Sequence, residues 1–241
     1  MERPLCPRGE GTLRLGACVG GQIKWPRQAR ERGMSMERIR TDFPEVTLAI
    51  LAGGQGRRLS GVPKGLLEVE GRTVLERLLA LAPCFEDVLL VANVPGPYAR
   101  FGLRTVADVV PGKGAPGGVH AALVAARTPW VVAVACDMPF ITTEVLRVLL
   151  GARDDGVDAV CFEARGRLEP LLAAYRSALA PAWETTLATD PSMRELLSGV
   201  RTRLLSEAVL HAVDPSLRSL ANVNTPEDLA RYGVALPSWR G

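Results

Sequence analysis

Two short, almost uninterrupted apolar runs constrain most strongly what this chain can fold into. Residues 46–51 contain one polar side chain, Thr47, and residues 130–135 contain none. Such runs are typical of parallel strands that are buried on both faces of a sheet. Other predicted elements alternate with them, namely strands at 87–92 and 104–106 and helices near 74–81, 119–126 and 143–150. This order predicts a single three-layer α/β domain, in which a mostly parallel, twisted sheet has helices on both faces.

One domain accounts for most of the 241 residues. We predict that it spans residues 44–236, since 47% hydrophobic side chains in a chain of this length suffice for one sizeable core. Residues 1–43 mix Arg, Gly and Pro without helical or strand periodicity, and we predict that they form a basic, disordered extension. Residues 237–241 are predicted to be a C-terminal tail.

The positive charge is concentrated in the N-terminal extension. Residues 1–40 carry nine basic and four acidic side chains, which leaves a net charge of −2 on the rest of a chain whose total is +3. The folded body is therefore not broadly basic, and we expect no nucleic-acid partner.

A glycine-rich, basic loop follows the first apolar run directly. Gly53, Gly54 and Gly56 lack a Cβ atom, so their backbone N–H groups can approach anionic oxygens closely. Arg58 and Lys64 add positive charge to the same loop. The loop therefore predicts a binding site for a polyphosphate.

Two familiar phosphate-binding loops do not match this one. A Walker A loop ends in Gly-Lys-Ser/Thr, whereas Lys64 is followed here by Gly65. A dinucleotide-binding loop needs a third glycine where this chain has Leu59. The absence of Walker elements makes a kinase or NTPase the weakest of the possible activities.

Five further short motifs occur after the loop. They are Val-Ala-Asn93, Val-Ala-Asp108, Gly-Ala-Pro-Gly-Gly118, Ala-Cys-Asp137-Met-Pro and Asn222-Val-Asn224-Thr-Pro-Glu-Asp-Leu. With Leu51-Ala-Gly-Gly54 and Pro63-Lys64-Gly-Leu, they resemble the nucleotidyltransferases of the glycosyltransferase-A-like superfamily, and within it the molybdenum cofactor guanylyltransferases. The resemblance covers about residues 46 to 233 and implies a Rossmann-like nucleotidyltransferase fold.

The resemblance also implies roles for individual residues. Lys64, Asp137 and Arg58 are expected to be catalytic, and Asp137 is expected to bind Mg²⁺. Asn222 and Asn224 are expected to contact the acceptor. The residues expected to bind the nucleotide are Leu51, Ala52, Gly53, Gly54, Gly56, Lys64, Asn93, Asp108, Gly118 and Asp137.

Asp137 and Lys64 are also singled out by their own chemistry. Asp137 ends a buried strand and offers the hard oxygen ligands that Mg²⁺ prefers, whereas the alternative role, a helix cap, suits Thr142 better. Lys64 is one of only three lysines beside 26 arginines, so a compact charge on phosphate is favoured over a solvated loop residue.

Asn93, Asp108 and the C-terminal asparagines allow structural alternatives. Asn93 has a paired donor and acceptor that can recognise a base edge, or it simply begins a loop. Asp108 contacts the ribose or a metal, or it forms a turn. Asn222 and Asn224 face the acceptor, or they order the turn before a helix that Thr225 caps. Neither histidine is assigned a catalytic role: His120 falls in a predicted helix and His211 in a strand-like run.

The function implied by the resemblance is transfer of GMP from GTP to the molybdopterin cofactor, with pyrophosphate as the leaving group. Its implied cofactor is Mg²⁺, and its implied partners include proteins of molybdoenzyme maturation.

Three alternatives to this function remain open. A molybdopterin cytidylyltransferase typically has Leu-Ala-Ala-Gly where this chain has Leu51-Ala-Gly-Gly54, and a sugar-phosphate nucleotidyltransferase is usually longer. A non-catalytic nucleotide-binding module is the third.

The five cysteines are odd in number and show neither a CxxC pair nor zinc-ligand spacing. Together with the absence of a secretory signal and of an apolar run long enough to span a membrane, they predict a reduced, cytoplasmic protein.

Overall fold

A computed structural model describes residues 41–53 and 61–237. The strands are β1 (Phe43–Leu51), β2 (Glu68–Val69), β3 (Arg72–Thr73), β4 (Phe85–Val91), β5 (Thr105–Val106), β6 (Trp130–Ala135), β7 (Ala159–Ala164), β8 (Arg167–Arg176), β9 (Thr202–Ser206) and β10 (Val234–Ala235). The α-helices are α1 (Val74–Leu79), α2 (Gly114–Ala125), α3 (Thr143–Gly151), α4 (Ala180–Thr186), α5 (Met193–Ser198), α6 (Glu207–His211) and α7 (Pro226–Tyr232).

Seven strands form one sheet in the order β5-β4-β1-β6-β8-β7-β9. The pairs of β1 with β4, β1 with β6, β4 with β5 and β7 with β9 are parallel, and only β8 runs against both of its neighbours. The mostly parallel sheet predicted from the two apolar runs is confirmed, and both runs lie at its centre.

The sheet separates two apolar layers. On β1, Leu48 and Ile50 face one layer while Ala49 and Leu51 face the other, as strand alternation requires. Helices α1, α3 and α6 contribute buried side chains to the first layer, and α2, α4 and α5 contribute to the second. The predicted three-layer arrangement with helices on both faces is therefore confirmed.

The four strands on one side of the sheet end level with one another. Leu51 pairs with both Val91 and Ala135, and Val91 pairs with Val106. The segments that follow these four strands consequently emerge side by side. Since ligands of open α/β sheets collect beyond the carboxyl ends of their strands, this edge is where a site is expected.

Strand β1 and helix α2 begin earlier than the sequence predicts. Strand β1 begins at Phe43, one residue before the predicted domain start, because Phe43 is buried and pairs with Phe85. Helix α2 begins at Gly114, five residues earlier than predicted, since a proline at residue 116 is tolerated in the first helical turn.

The strand-like run predicted around His211 is wrong. This segment forms the short helix α6, in which Leu210 is buried while its neighbours Val209 and His211 are exposed. The prediction that His120 lies in a helix is confirmed.

A second, smaller sheet has the order β10-β2-β3 and is antiparallel. It ties the segment after the glycine-rich loop to the C-terminal end of the described chain. In residues 41–53 and 61–237, no helix has the length and apolar character needed to cross a membrane.

Candidate active site

A cavity of about 330 Å³ lies at the carboxyl ends of the parallel strands. Six residues predicted from the sequence line it: Leu51, Gly53, Asn93, Asp108, Gly118 and Asp137. Ala52 lies between two of these residues, and its N–H donates to the carbonyl of Val91 at 2.9 Å. Five motifs that are far apart in the sequence are thus brought to one cleft, whereas Lys64, Asn222 and Asn224 are not among the residues that line it. Gly54, Gly56 and Arg58 lie outside the described residues.

Asp137 lines this cleft, two residues after the end of β6. Its Oδ2 accepts a hydrogen bond from Lys64 Nζ at 2.8 Å, and its backbone carbonyl accepts one from Val223 N at 2.9 Å. Helix α3 begins at Thr143 and is capped by Thr142, whose Oγ1 accepts from Val145 N at 3.4 Å. The alternative role of Asp137 as a helix cap is therefore excluded.

Lys64 is held in place by the turn in which it lies. Residues Lys64–Leu66 form a 3-10 turn, and Gly65 packs against the ring of Tyr98 so closely that a Cβ atom there would be 3.0 Å from Tyr98 Cε1. The amine of Lys64 donates to Asn224 Oδ1 as well as to Asp137. With a side chain only 19% exposed, Lys64 is not the solvated loop residue that the alternative required.

The carboxylate of Asp137 fits a bound Mg²⁺. Its second oxygen, Oδ1, is buried and has no hydrogen-bond partner within the described parts of the chain, and leaving a buried charged oxygen unpaired is costly. The same described residues contain no group of three or more His, Cys, Asp or Glu that could hold a metal ion. Mg²⁺ is commonly held by one or two carboxylates together with substrate phosphates, so a single aspartate at a cleft that is expected to bind phosphates is a suitable donor set.

Asn93 and Asp108 form one hydrogen-bonded unit at the other side of the cavity. Asn93 Nδ2 donates to Asp108 Oδ2 at 2.8 Å, and Asp108 N donates to Asn93 Oδ1 at 2.9 Å. The side-chain nitrogen and the side-chain oxygen of Asn93 each make one hydrogen bond to Asp108. This leaves one N–H and one oxygen lone pair for a ligand. The pair is pre-organised to present polar groups to the cavity.

The C-terminal asparagines differ in their surroundings. Asn224 contacts Lys64 and its backbone N–H donates to Asp228 Oδ2 at 2.9 Å, whereas Asn222 is exposed and donates to the carbonyl of Leu220 at 3.3 Å. Thr225 caps α7 with Pro226 at its first position, as predicted. Asn224 therefore contacts the Lys64–Asp137 pair directly, while the side chain of Asn222 bonds within its own turn and does not line the cavity.

Several lining residues were not predicted as parts of the site. They are Val91, Gly112, Gly114, Ala115, Ala135, Cys136 and Leu171. The string Pro-Gly-Lys-Gly was a signal for the two glycines, both of which adopt positive φ angles, Gly112 in the turn before α2 and Gly114 at the first position of the helix. Leu171 is contributed by the antiparallel strand β8, for which the sequence contains no comparable signal.

Cys136 lines the cavity but is not a nucleophile. Burial, with a smaller contribution from the neighbouring carboxylate of Asp137, raises the pKa of its thiol to about 12. Since the thiolate is the nucleophilic form, Cys136 remains protonated and inert near neutral pH. Cys136 consequently contributes no covalent catalyst to the cleft.

Gly118 keeps the cavity open from the side of α2. A Cβ atom at this position would lie 3.1 Å from Leu51 Cδ2 and 3.8 Å from Asp108 Oδ1. A larger side chain would therefore occupy the space between these two lining residues.

We expect Gly118→Val to weaken nucleotide binding roughly tenfold or more, which corresponds to about 1.4 kcal/mol. Isothermal titration calorimetry with each nucleoside triphosphate measures this effect. The matched control is Gly151→Val, because Gly151 also lies in a helix but a Cβ atom there would have no neighbour within 4 Å. Equal affinities of the two variants would contradict the placement of the nucleotide beside α2.

A family model described as the MobA-like NTP transferase domain matches residues 48–209 of this chain. The molybdenum cofactor guanylyltransferase of Desulfosudis oleivorans is 32% identical over 197 residues, covering 81% of this chain and 98% of that protein. A probable molybdenum cofactor guanylyltransferase of Pelotomaculum thermopropionicum is 35% identical over 192 residues, covering 79% and 93%.

Solved structures show the same fold. Molybdopterin-guanine dinucleotide biosynthesis protein A from Archaeoglobus fulgidus superposes with a TM-score of 0.68 at 29% identity, covering 77% of this chain and 96% of that chain. The 2-C-methyl-D-erythritol 4-phosphate cytidylyltransferase from Thermus thermophilus superposes with a TM-score of 0.54 at 19% identity, covering 76% and 95%. The second likeness is one of fold alone.

Proposed function

The chain belongs to the MobA-like NTP transferase family, and from this premise we propose that it transfers GMP from GTP to the terminal phosphate of molybdopterin cofactor. Its family makes it an enzyme, a nucleotidyltransferase. The identity of both substrates is the proposed part, as is delivery of the product to proteins of molybdoenzyme maturation. The product of the proposed reaction is the guanine dinucleotide form of the cofactor.

The cluster of Lys64, Asp137 and Asn224 is the observation that supports this proposal most. It joins the loop expected to bind the triphosphate to the segment expected to bind the acceptor, through one carboxylate and one amine. The two substrates of a nucleotidyl transfer must meet at the α-phosphate. The amine of Lys64 and the carboxylate of Asp137 lie together between the two expected binding regions, which suits this requirement.

The proposed chemistry is an in-line displacement at phosphorus. An oxygen of the acceptor phosphate forms a bond to the α-phosphorus, the bond from that phosphorus to the bridging oxygen of the β-phosphate breaks, and pyrophosphate leaves with the electron pair. Lys64 would place its positive charge against the phosphate oxygens as negative charge moves toward the leaving group. Asp137 would hold the Mg²⁺, which supplies further positive charge to those oxygens when bound.

The remaining work is positioning. Holding two phosphates in line removes much of the entropic cost of a reaction between two molecules. Phosphoryl and nucleotidyl transfers need little covalent assistance from the protein, so the inert thiol of Cys136 is consistent with this mechanism.

We expect GTP to be the preferred nucleotide. Gly53 lines the cavity without a side chain, and Asn93 keeps one donor and one acceptor free, so a purine base with both kinds of group on its edge has space and partners. Incubation with Mg²⁺, molybdopterin and each of GTP, CTP, ATP and UTP tests this, with pyrophosphate release and the dinucleotide product as the measurements.

The outcomes separate the possible activities. Faster turnover of CTP than of GTP would make the chain a cytidylyltransferase within the same family. Tight binding of GTP without any release of pyrophosphate would show a nucleotide-binding module instead. Turnover with a sugar phosphate in place of molybdopterin would reassign the acceptor.

A further inference from the structure

The aromatic ring of Phe140 joins the turn after β6 to three other parts of the chain. The guanidinium of Arg218 lies over this ring at 4.0 Å from its centroid, and that of Arg77 in α1 lies at 5.8 Å. The ring of Tyr232 in α7 packs against it at a tilt, with the centroids 5.8 Å apart. Phe140 is only 7% exposed, so these groups enclose it.

The turn that carries Phe140 is the turn that carries Asp137. Arg77 Nε donates to the carbonyl of Pro139 at 3.1 Å, which fixes the turn from the side of α1. From the other side, Val223 N donates to the carbonyl of Asp137 at 2.9 Å. The metal-binding carboxylate and the asparagines on either side of Val223 are therefore connected through their backbones.

Arg218 lies at the start of the segment that carries those asparagines. It opens the 3-10 turn Arg218–Leu220, four residues before Asn222. The local shape of this turn does not depend on the side chain of Arg218, because Asp214 Oδ2 accepts hydrogen bonds from Ser219 N at 2.7 Å and from Ser219 Oγ at 2.6 Å. The exposed guanidinium of Arg218 is thus free to act on the ring of Phe140 rather than on its own turn.

We propose that Arg218 is a positioning residue, which holds the segment 218–224 in register with Asp137 by stacking on Phe140 and so sets the distance between acceptor and metal-binding carboxylate. The inference rests on the proposed function for its kinetic consequence. Arg218 itself need not touch either substrate. Its contribution is that of a cation over an aromatic ring, which fixes one end of a short segment whose other end is fixed by Asn224 and Lys64.

The first test measures the free protein. Hydrogen exchange at the amide of Val223 reports whether the bond to Asp137 opens, and we expect Arg218→Met to raise its exchange rate roughly two- to fivefold, as the loss of an exposed cation–π contact implies. The matched control is Arg100→Met, because Arg100 is also exposed, lies in a 3-10 turn and stacks on a buried ring, Phe101, at 4.8 Å. Equal exchange rates of the Val223 amide in the two variants and the wild type would overturn the inference. This outcome does not depend on which substrates the enzyme uses.

The second test measures steady-state kinetics. We expect Arg218→Met to raise the KM for the acceptor roughly two- to fivefold while the KM for the nucleotide stays unchanged, and Arg218→Lys to restore part of the loss because it keeps a cation over the ring. A general loss of structure would instead lower kcat and raise both KM values. If the wild type shows no transfer to molybdopterin, the proposed function fails while the exchange experiment still decides the role of Arg218.

A double variant distinguishes positioning from direct contact with the acceptor. If Arg218 acts through the ring, adding Arg218→Met to Phe140→Leu changes the acceptor KM and the Val223 exchange rate no further. An additive effect on the acceptor KM would show that Arg218 contacts the acceptor itself, and the positioning role would be wrong.

Discussion

Asp137→Asn is expected to fold normally and to lose roughly 10²–10³-fold in turnover, or about 2.7–4 kcal/mol, as the removal of a preorganised electrostatic group does in other enzymes. The substitution keeps the size of the side chain and its bond to Lys64 through the remaining oxygen. It removes the negative charge beside the buried oxygen that has no hydrogen-bond partner among residues 41–53 and 61–237. Steady-state turnover over a Mg²⁺ titration, together with a melting curve, measures both effects.

The control for this variant is Asp155→Asn. Asp155 is a fully exposed carboxylate in a surface ion pair with Arg176, and such pairs contribute little to stability. We expect wild-type turnover from the control. A folded Asp137→Asn enzyme with near-normal guanylyl transfer would remove the central residue of the mechanism and favour a binding module.

Lys64→Met should lower turnover by on the order of 10²-fold, because it removes the charge that is expected to meet the phosphates. It also removes the bonds that join Asp137 to Asn224. We therefore expect weaker nucleotide binding and a higher KM for the acceptor in the same variant, which calorimetry and steady-state kinetics measure separately.

Lys64→Arg provides the matched control for charge. The guanidinium is planar and larger than an ammonium group, so it cannot bond to Asp137 and Asn224 from one point as Lys64 does. We expect it to recover nucleotide binding in part and turnover less. An unaffected acceptor KM in Lys64→Met would show that the contact with Asn224 has no role in the reaction.

The part of the sheet around β1 and β6 was predictable because its sequence signals are local. The uninterrupted apolar runs of β1 and β6 fix two buried parallel strands, and the residues that follow them are then forced to one edge. Asn93, Asp108 and Asp137 each follow a strand of that group, so their convergence on one cavity could be inferred before any coordinates.

The position of β8 and the contact between Lys64 and Asn224 were not predictable, because both depend on residues far away in the sequence. Strand β8 contains Pro170 and carries Arg and Glu near its beginning, so its pattern matches neither a buried nor an alternating strand. Its antiparallel direction, which brings Leu171 to the cavity, depends on pairing with β6 and β7 rather than on its own sequence. The bond between Lys64 and Asn224 joins residues that are 160 positions apart, and no spacing rule reaches that far.

The order of strands in the main sheet separates the regions that are expected to bind the two substrates. The groups expected to hold the nucleotide follow β1, β4 and β5, whereas the segment expected to hold the acceptor bonds to the turn after β6. Asp137 lies on the boundary between these halves and is expected to serve both. Mutations that change which base is accepted can therefore accumulate on one half without rebuilding the other, and the acceptor can diverge in the same independent way. A fold divided like this is suited to the evolution of new substrate pairs, and it is a rational starting point for recombining the two halves by design.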